Sequence, residues 1–276
     1  MNIITVSRLV GSYGDDIASK VAEKMGLEFV GRTGLHELAM SCDLEYREAC
    51  TLYETEHGPG FFERLFFDRP SHKSLFEALT YEQAGRGNVV MVGRGAQIVL
   101  HDLPGVFCVG VIASRVNRVQ RIMQKLGIPL EEAEYYVDKY DAERITLIKT
   151  VFDKDPTDLM LYNLLINTDH YTAENAADVI VHAIGKMDKR PDGDQLVETL
   201  KNMALAKRIE ALVRRKLTSA VAGNVEISAE PGGVIRISGR IREKADRARV
   251  EKIAAEYSGV TQVVNELKVT DLTFRV

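Results

Sequence analysis

Apolar positions in the first two thirds of the chain gather into short unbroken runs, whereas those of the last third alternate with polar ones. Residues 2–6 (NIITV), 88–92 (NVVMV) and 106–113 (VFCVGVIA) are apolar almost throughout, and residues 161–167 supply a fourth run. Runs without a polar face predict strands covered on both sides, as in a parallel sheet between layers of helices. Between them the period becomes helical. In IASKVAEKMG, residues Ile17, Val21, Ala22 and Met25 share one face. SLFEALTYEQAGRG is a further helical stretch, and RVNRVQRIMQKLG and PLEEAEYYVDKYDAERITLIKTVF are long helical patterns parted by Gly127, Ile128 and Pro129. AENAADVIVHAIGKM closes the series, so the pattern predicts an α/β domain over residues 1–187.

The stretch DKRPDGDQ is polar, contains Pro191 and Gly193 and has no apolar period, which places a linker over residues 188–204. Residues 205–276 start a pattern of their own. LAKRIEALVRRKLTSA is an amphipathic helix, NVEISA and GVIRISGRI are alternating strands joined at Glu230, Pro231, Gly232 and Gly233, ADRARVEKIAAEYSG is a helix, and VTQVVNELKV is a last strand. The order αββαβ describes a small α+β module.

Charge sharpens this division. The chain has 276 residues and a formal charge of -4, which gives no sign of a nucleic-acid partner. From Leu205 onward, however, 14 Lys and Arg face 9 Asp and Glu, leaving the preceding part strongly acidic. Three cysteines, Cys42, Cys50 and Cys108, form no CxxC pair, and the six histidines show no metal-ligand spacing. The opening residues lack a basic segment followed by a long apolar one, and no stretch approaches the ~20 apolar residues of a membrane span. The expectation is a cytoplasmic protein with reduced thiols.

Candidate chemistry begins at SRLVGSYGDDIA, residues 7–18, where a loop leaves the first strand and enters a helix. Such a loop aims several backbone N–H groups and the positive end of the helix dipole at a phosphate. Arg118 and Arg121 lie one helical turn apart, a spacing that suits either two guanidinium groups on one anion or a solvated helix face. Residues 57–67, with His57, Gly58, Pro59, Gly60, Phe61, Phe62, Phe66 and Phe67, read either as a cap over an acceptor site or as core packing.

Taken together, ITVSRxxGSxGxxIA, VVMVGRGAQIVL, SRVNRVQRIMQKLGIPLEEAEYYVDKYDAERITLIK and YNLLINTD resemble the cytidylate-kinase-like family, related to the P-loop nucleoside monophosphate kinases, over nearly all of residues 1–187. The resemblance implies a three-layer α/β P-loop kinase-like fold around a parallel sheet, with ATP and Mg²⁺ at the loop and a nucleoside monophosphate or similar small phosphorylated acceptor facing it. On that basis Ser7, Arg8, Gly11, Ser12, Tyr13, Gly14 and Asp15 correspond to the phosphate loop. Arg94 corresponds to an arginine that contacts the acceptor, and Arg118, Arg121, Asp141 and Arg144 to the catalytic and lid groups. The chain departs from the family at the loop itself, which usually reads GSGG followed by a basic residue. Gly14 stands where a P-loop lysine would be, and Tyr13, Asp15 and Asp16 follow no P-loop pattern. Like charges about 4 Å apart repel by about 4 kcal/mol at an effective dielectric near 20. Two readings therefore stand side by side: an active phosphotransferase, and a catalytically degenerate nucleotide- or anion-binding sensor or adaptor.

Residues 205–269, with GGVIRISGRI, SGVTQVVNELKV, Gly239 and Gly259, resemble a BON domain. That resemblance implies a tethering or regulatory module, with an anionic phospholipid, a protein partner or a second copy in a homo-oligomer as its counterpart. Arg214, Arg215 and Lys216 form a basic cluster that fits an anionic surface or a solvated helix face.

Overall fold

The structure, a computed structural model, describes residues 1–31, 70–187 and 192–270. Along the chain it contains β1 (Ile3–Arg8), α1 (Gly14–Met25), β2 (Glu28–Val30), α2 (Pro70–Gly85), β3 (Val89–Val92), the short α3 (Ala96–Val99), β4 (Val106–Ile112), α4 (Arg115–Leu126), α5 (Leu130–Phe152), β5 (Leu164–Asn167) and α6 (Ala173–Gly185). There follow α7 (Gly193–Lys216), the short α8 (Ser219–Ala222), β6 (Val225–Glu230), β7 (Val234–Ile241), α9 (Lys244–Ala255), β8 (Gln262–Asn265) and β9 (Lys268–Val269). The aromatic segment 57–67, Cys42 and Cys50 lie outside the described residues. No helix among the described residues is long and apolar enough to cross a membrane.

The first sheet is parallel throughout, in the order β2-β3-β1-β4-β5. Central β1 pairs Ile3 with Val89 on one side and with Val106 on the other. One face of the sheet, with Ile4, Val6, Val90, Val92, Val109 and Val111, is buried against Ile17 and Val21 of α1 and Ala176, Ile180 and Ile184 of α6. Each such side chain contributes about 1.5–3 kcal/mol by leaving water. Lys20 and Lys24 of α1 reach Glu174 of α6 on the solvent side, and Lys24 also reaches Asp178. The three-layer α/β expectation holds. Edge strand β2 was not foreseen, because only three residues pair and two of them are exposed, leaving no pattern to read.

By contact density, described residues 1–31, 86–187 and 192–193 form one compact unit, and residues 70–85 with 194–270 form the other. Within the second unit, Ile209 and Val213 of α7, Val225, Ile235, Ile237 and Ile241 of the sheet, and Val250 and Ile253 of α9 make one core. The β6–β7 pair is an antiparallel hairpin, and β8 and β9 both run parallel to β7, so the expected single last strand is broken at Glu266 and Leu267. Gly239 lies inside β7 rather than at its end; a Cβ there would come within 1.9 Å of the Asn224 carbonyl oxygen.

Residues 193–204, expected within a polar linker, are instead the first half of α7. Leu196, Leu200 and Ala204 are buried at four-residue spacing, a helical stripe that the polar residues around it conceal. Also in this unit, α2 is fastened to α7 by polar contacts: Ser74 Oγ donates to Glu210 Oε1 at 3.1 Å, Lys207 pairs with Glu77 at 2.8 Å, and Arg208 pairs with Glu82. Arg214, part of the sequence's basic cluster, is turned onto Glu210 at 2.7 Å.

Candidate phosphate-loop site

Strand β1 delivers the chain to the carboxyl edge of the sheet, where the loop of residues 9–13 turns it into α1. The turn closes on itself. The Ser12 N–H donates to the Leu9 carbonyl at 3.2 Å, and the buried Ser12 hydroxyl donates to the same oxygen at 2.7 Å. Gly11 has φ of 75° and Tyr13 φ of 65°, so the loop keeps a glycine-type backbone at Tyr13, a left-handed conformation that costs a residue with a side chain about 1–2 kcal/mol. Arg121 offsets part of that cost, its guanidinium lying 4.0 Å above the Tyr13 ring. At the start of α1, the N–H groups of Tyr13, Gly14, Asp15 and Asp16 meet no protein acceptor among the described residues, as the first turn of a helix requires.

Two arginines of α4 grip the loop from behind. Arg118 is buried; its Nε donates to the Ala113 carbonyl, Nη1 to the Val10 carbonyl at 3.3 Å, and Nη1 and Nη2 to the two carboxylate oxygens of Asp141 at 3.1 and 2.8 Å. Arg121 donates to the Gly11 carbonyl at 3.3 Å and to the hydroxyl and carbonyl oxygens of Thr168 at 3.0 and 2.8 Å. The Thr168 hydroxyl is in turn shared between the Ser12 and Ile112 carbonyls. Both guanidinium groups thus hold backbone carbonyls of the loop, and Asp141 pairs with Arg118 rather than with Arg144 three residues along its own helix. Asp169, held below the usual carboxylate range by hydrogen bonds from Asn117 and Ser114, pins the start of α4 to the end of β5.

On the opposite side the arginines are less engaged. Arg144 of α5 donates from Nη2 to Ser7 Oγ at 2.8 Å and to the Tyr162 hydroxyl at 3.2 Å. No carboxylate pairs with it among the described residues, and its Nε and Nη1 hydrogens have no protein acceptor there. Arg8, the last residue of β1, donates from Nε and Nη2 to Asp15 Oδ1 at 3.2 and 3.0 Å. Its side chain lies over Gly14, where a Cβ would meet Arg8 Cβ at 2.3 Å, and against Gly93, where a Cβ would meet Arg8 Nη1 at 2.2 Å. Arg94 follows Gly93 in a turn of three consecutive left-handed residues after β3.

The structure therefore gathers Ser7, Arg8, Gly11, Ser12, Tyr13, Gly14, Asp15, Arg118, Arg121, Asp141 and Arg144 around one loop, with Arg94 in the turn that touches Arg8. Sequence reasoning missed Thr168 and Tyr162. A signal existed for Thr168, which directly follows a strand at the carboxyl end of a parallel sheet, where ligand-facing groups collect.

Comparison with known proteins gives the family. The profile of the cytidylate kinase-like family matches residues 3–170, and that of the BON domain matches residues 206–271. The cytidylate kinase of Methanopyrus kandleri is 25% identical over 199 residues, covering 69% of this chain and 96% of that protein. The cytidylate kinase of Pyrococcus horikoshii is 28% identical over 199 residues, covering 70% of this chain and 92% of its own. Among solved structures, an uncharacterized protein from Eubacterium ventriosum shares the fold with a TM-score of 0.51 and 19% identity, over 68% of this chain and 100% of that one. With its family match spanning more than half of its length, the chain belongs to the cytidylate kinase-like family and carries a C-terminal BON domain.

Proposed function

We propose that residues 1–187 form a cytoplasmic phosphotransferase that moves a phosphoryl group from ATP to a nucleoside monophosphate or similar small acceptor, with the BON domain as regulator or tether. The observation that carries this reading is the pairing of a loop whose helix-start N–H groups meet no acceptor among the described residues with Arg144, a half-buried cation that pairs with no carboxylate among them. A helix start and an uncompensated guanidinium together select a polyphosphate anion.

The residues present fit such a donor. Gly11 and Tyr13 both hold the left-handed backbone that turns the loop inward, and Ser12 and Thr168 fix its carbonyls, so the N–H groups of residues 13–16 are left to meet phosphate oxygens. Asp15 does not stand unpaired at the helix start; Arg8 takes its carboxylate. Among the described residues no cluster of three His, Cys, Asp or Glu side chains could cage a metal. Mg²⁺ is usually held by substrate phosphates and water with one or two carboxylates, and would neutralise charge on the phosphates when bound. Arg94, in the turn beside Arg8, is the group assigned to the acceptor phosphate, and Arg144 the group that meets charge on the phosphoryl in transit. Arg118, Arg121 and Asp141 act as positioning residues behind the loop.

Isothermal titration with ATP, CTP and CMP, with and without Mg²⁺, followed by a coupled assay of ADP release with pyrimidine monophosphates, tests the reading. Mg²⁺-dependent triphosphate binding and acceptor-dependent ADP release are expected. Triphosphate binding without turnover on any monophosphate would favour the sensor or adaptor reading instead.

A further inference from the structure

The phosphate loop of this chain has the length of the GxxxxGK[ST] pattern but not its residues. Laid on positions 8–15, the pattern puts Arg8 at the first Gly, Tyr13 at the second, Gly14 at the Lys and Asp15 at the Ser or Thr. Two of these differences are coupled in space. A Cβ on residue 14 would lie 2.3 Å from Arg8 Cβ and 2.6 Å from Arg8 Cγ, so positions 8 and 14 cannot both carry a side chain. The usual motif gives the side chain to position 14, a lysine whose ammonium meets the terminal phosphates, and leaves position 8 bare. Here position 8 carries the cation and position 14 is bare.

From this exchange we infer that Arg8 is the donor-phosphate cation of the site, supplied from the end of β1 in place of the loop lysine and held in waiting by Asp15. Its guanidinium already lies between the two places the reaction needs. One edge faces the first turn of α1 through Asp15, and Nη1 is pressed against Gly93, the residue before Arg94. Asp15 is mostly exposed, so the pair that restrains Arg8 is a solvated one. Such a pair is worth little by itself and gives way readily when a polyphosphate offers more oxygens. A guanidinium also makes two parallel hydrogen bonds where an ammonium makes point contacts, so Arg8 can bridge two phosphate oxygens.

This inference rests on the phosphotransferase reading, and the test separates the two. Binding of Mg²⁺·ATP and of tripolyphosphate is measured by titration calorimetry for the native chain, Arg8→Gly, Arg8→Gly/Gly14→Lys and Asp15→Asn, with thermal unfolding of each. Arg8→Gly is expected to weaken binding by about 10–150-fold, the range of one charge-assisted hydrogen-bonding group. The double variant, which moves the cation back to position 14 and clears both close approaches, is expected to recover most of that loss. Asp15→Asn is expected to tighten binding. Arg8→Lys and Arg8→Gln serve as a second pair should the glycine variants unfold, the former keeping most of the binding and the latter losing it. Native-like binding by Arg8→Gly, or by Arg8→Gln, overturns the inference while leaving the phosphotransferase reading in place. So does a folded double variant that recovers nothing. If no version binds either probe, Asp15→Asn included, both fall.

Discussion

The two sides of the candidate phosphate loop use the same residue type in opposite ways. Behind the loop, Arg118 and Arg121 hold backbone carbonyls, with the Asp141 carboxylate as a further acceptor for the first and Thr168 for the second. In front, among the described residues, Arg144 keeps N–H groups to spare and Arg8 pairs with the exposed Asp15. Bonds to loop carbonyls mark an arginine that shapes the loop, and in the proposed function the pair that makes none is the one that meets the ligand.

The sharpest way to break this contrast is Arg118→Ala, which strands Asp141 and frees the Val10 carbonyl. It should lower stability by up to about 3 kcal/mol, the lower end of the range for removing one member of a buried pair, because Asp141 keeps 23% of its side chain exposed, as read by urea unfolding. Arg144→Ala should do the reverse. Turnover is expected to drop ~10²–10³-fold, as when one preorganised donor to the transition state is lost, while unfolding shifts by about 1 kcal/mol for its bonds to Ser7 and Tyr162. Equal stability losses in the two variants would erase the distinction between the sides. Thr168→Val is intermediate: it leaves Arg121 and the Ser12 carbonyl without their shared hydroxyl, at about 1–3 kcal/mol in stability, and should raise the apparent KM for ATP more than it lowers kcat.

The smallest effect lies away from the loop, on the α1–α6 surface. Glu174 is held down to about 2 by hydrogen bonds from Lys20 and Lys24, against its ordinary value of 4.5. A carboxylate with a depressed folded value adds stability above its unfolded value and loses it as pH falls toward the folded one. Glu174→Gln should therefore unfold slightly earlier than the native chain at pH 7, and the gap should close between about pH 4.5 and 2. A gap that persists at pH 2 would mean that packing, not charge, joins these helices.

Much of the fold was legible because burial on both faces writes continuous apolar runs, as in β1 and β4, and burial on one face writes alternation, as in β7. Three-residue β2 and the first half of α7 carried too little contrast to be read that way. At the site, the residue types were visible but their allegiance was not. Nothing in the sequence tells that Arg118 bonds the Val10 carbonyl 108 positions away, or that Arg144 reaches Ser7 across 137. Those partnerships depend on where the fold brings oxygens that lie far apart in sequence, which local side-chain chemistry does not encode. The exclusion between Arg8 and Gly14 was hidden for the same reason: it is a distance between stems, not a motif.

The attachment of α2 to α7 also sets an order of events during synthesis. Ser74 and its partner Glu210 are 136 residues apart. At roughly 5–20 residues per second of chain elongation, Glu210 is added roughly 7–27 s after Ser74. In that interval β3 to α6 are made in full, so the sheet is complete in sequence before the last partner of α2 exists. A chain ending at residue 187 would therefore hold the whole sheet and the loop of residues 9–13 with α2 still waiting for its partner, and in it resistance to a protease pulse should be greater at the loop than at α2.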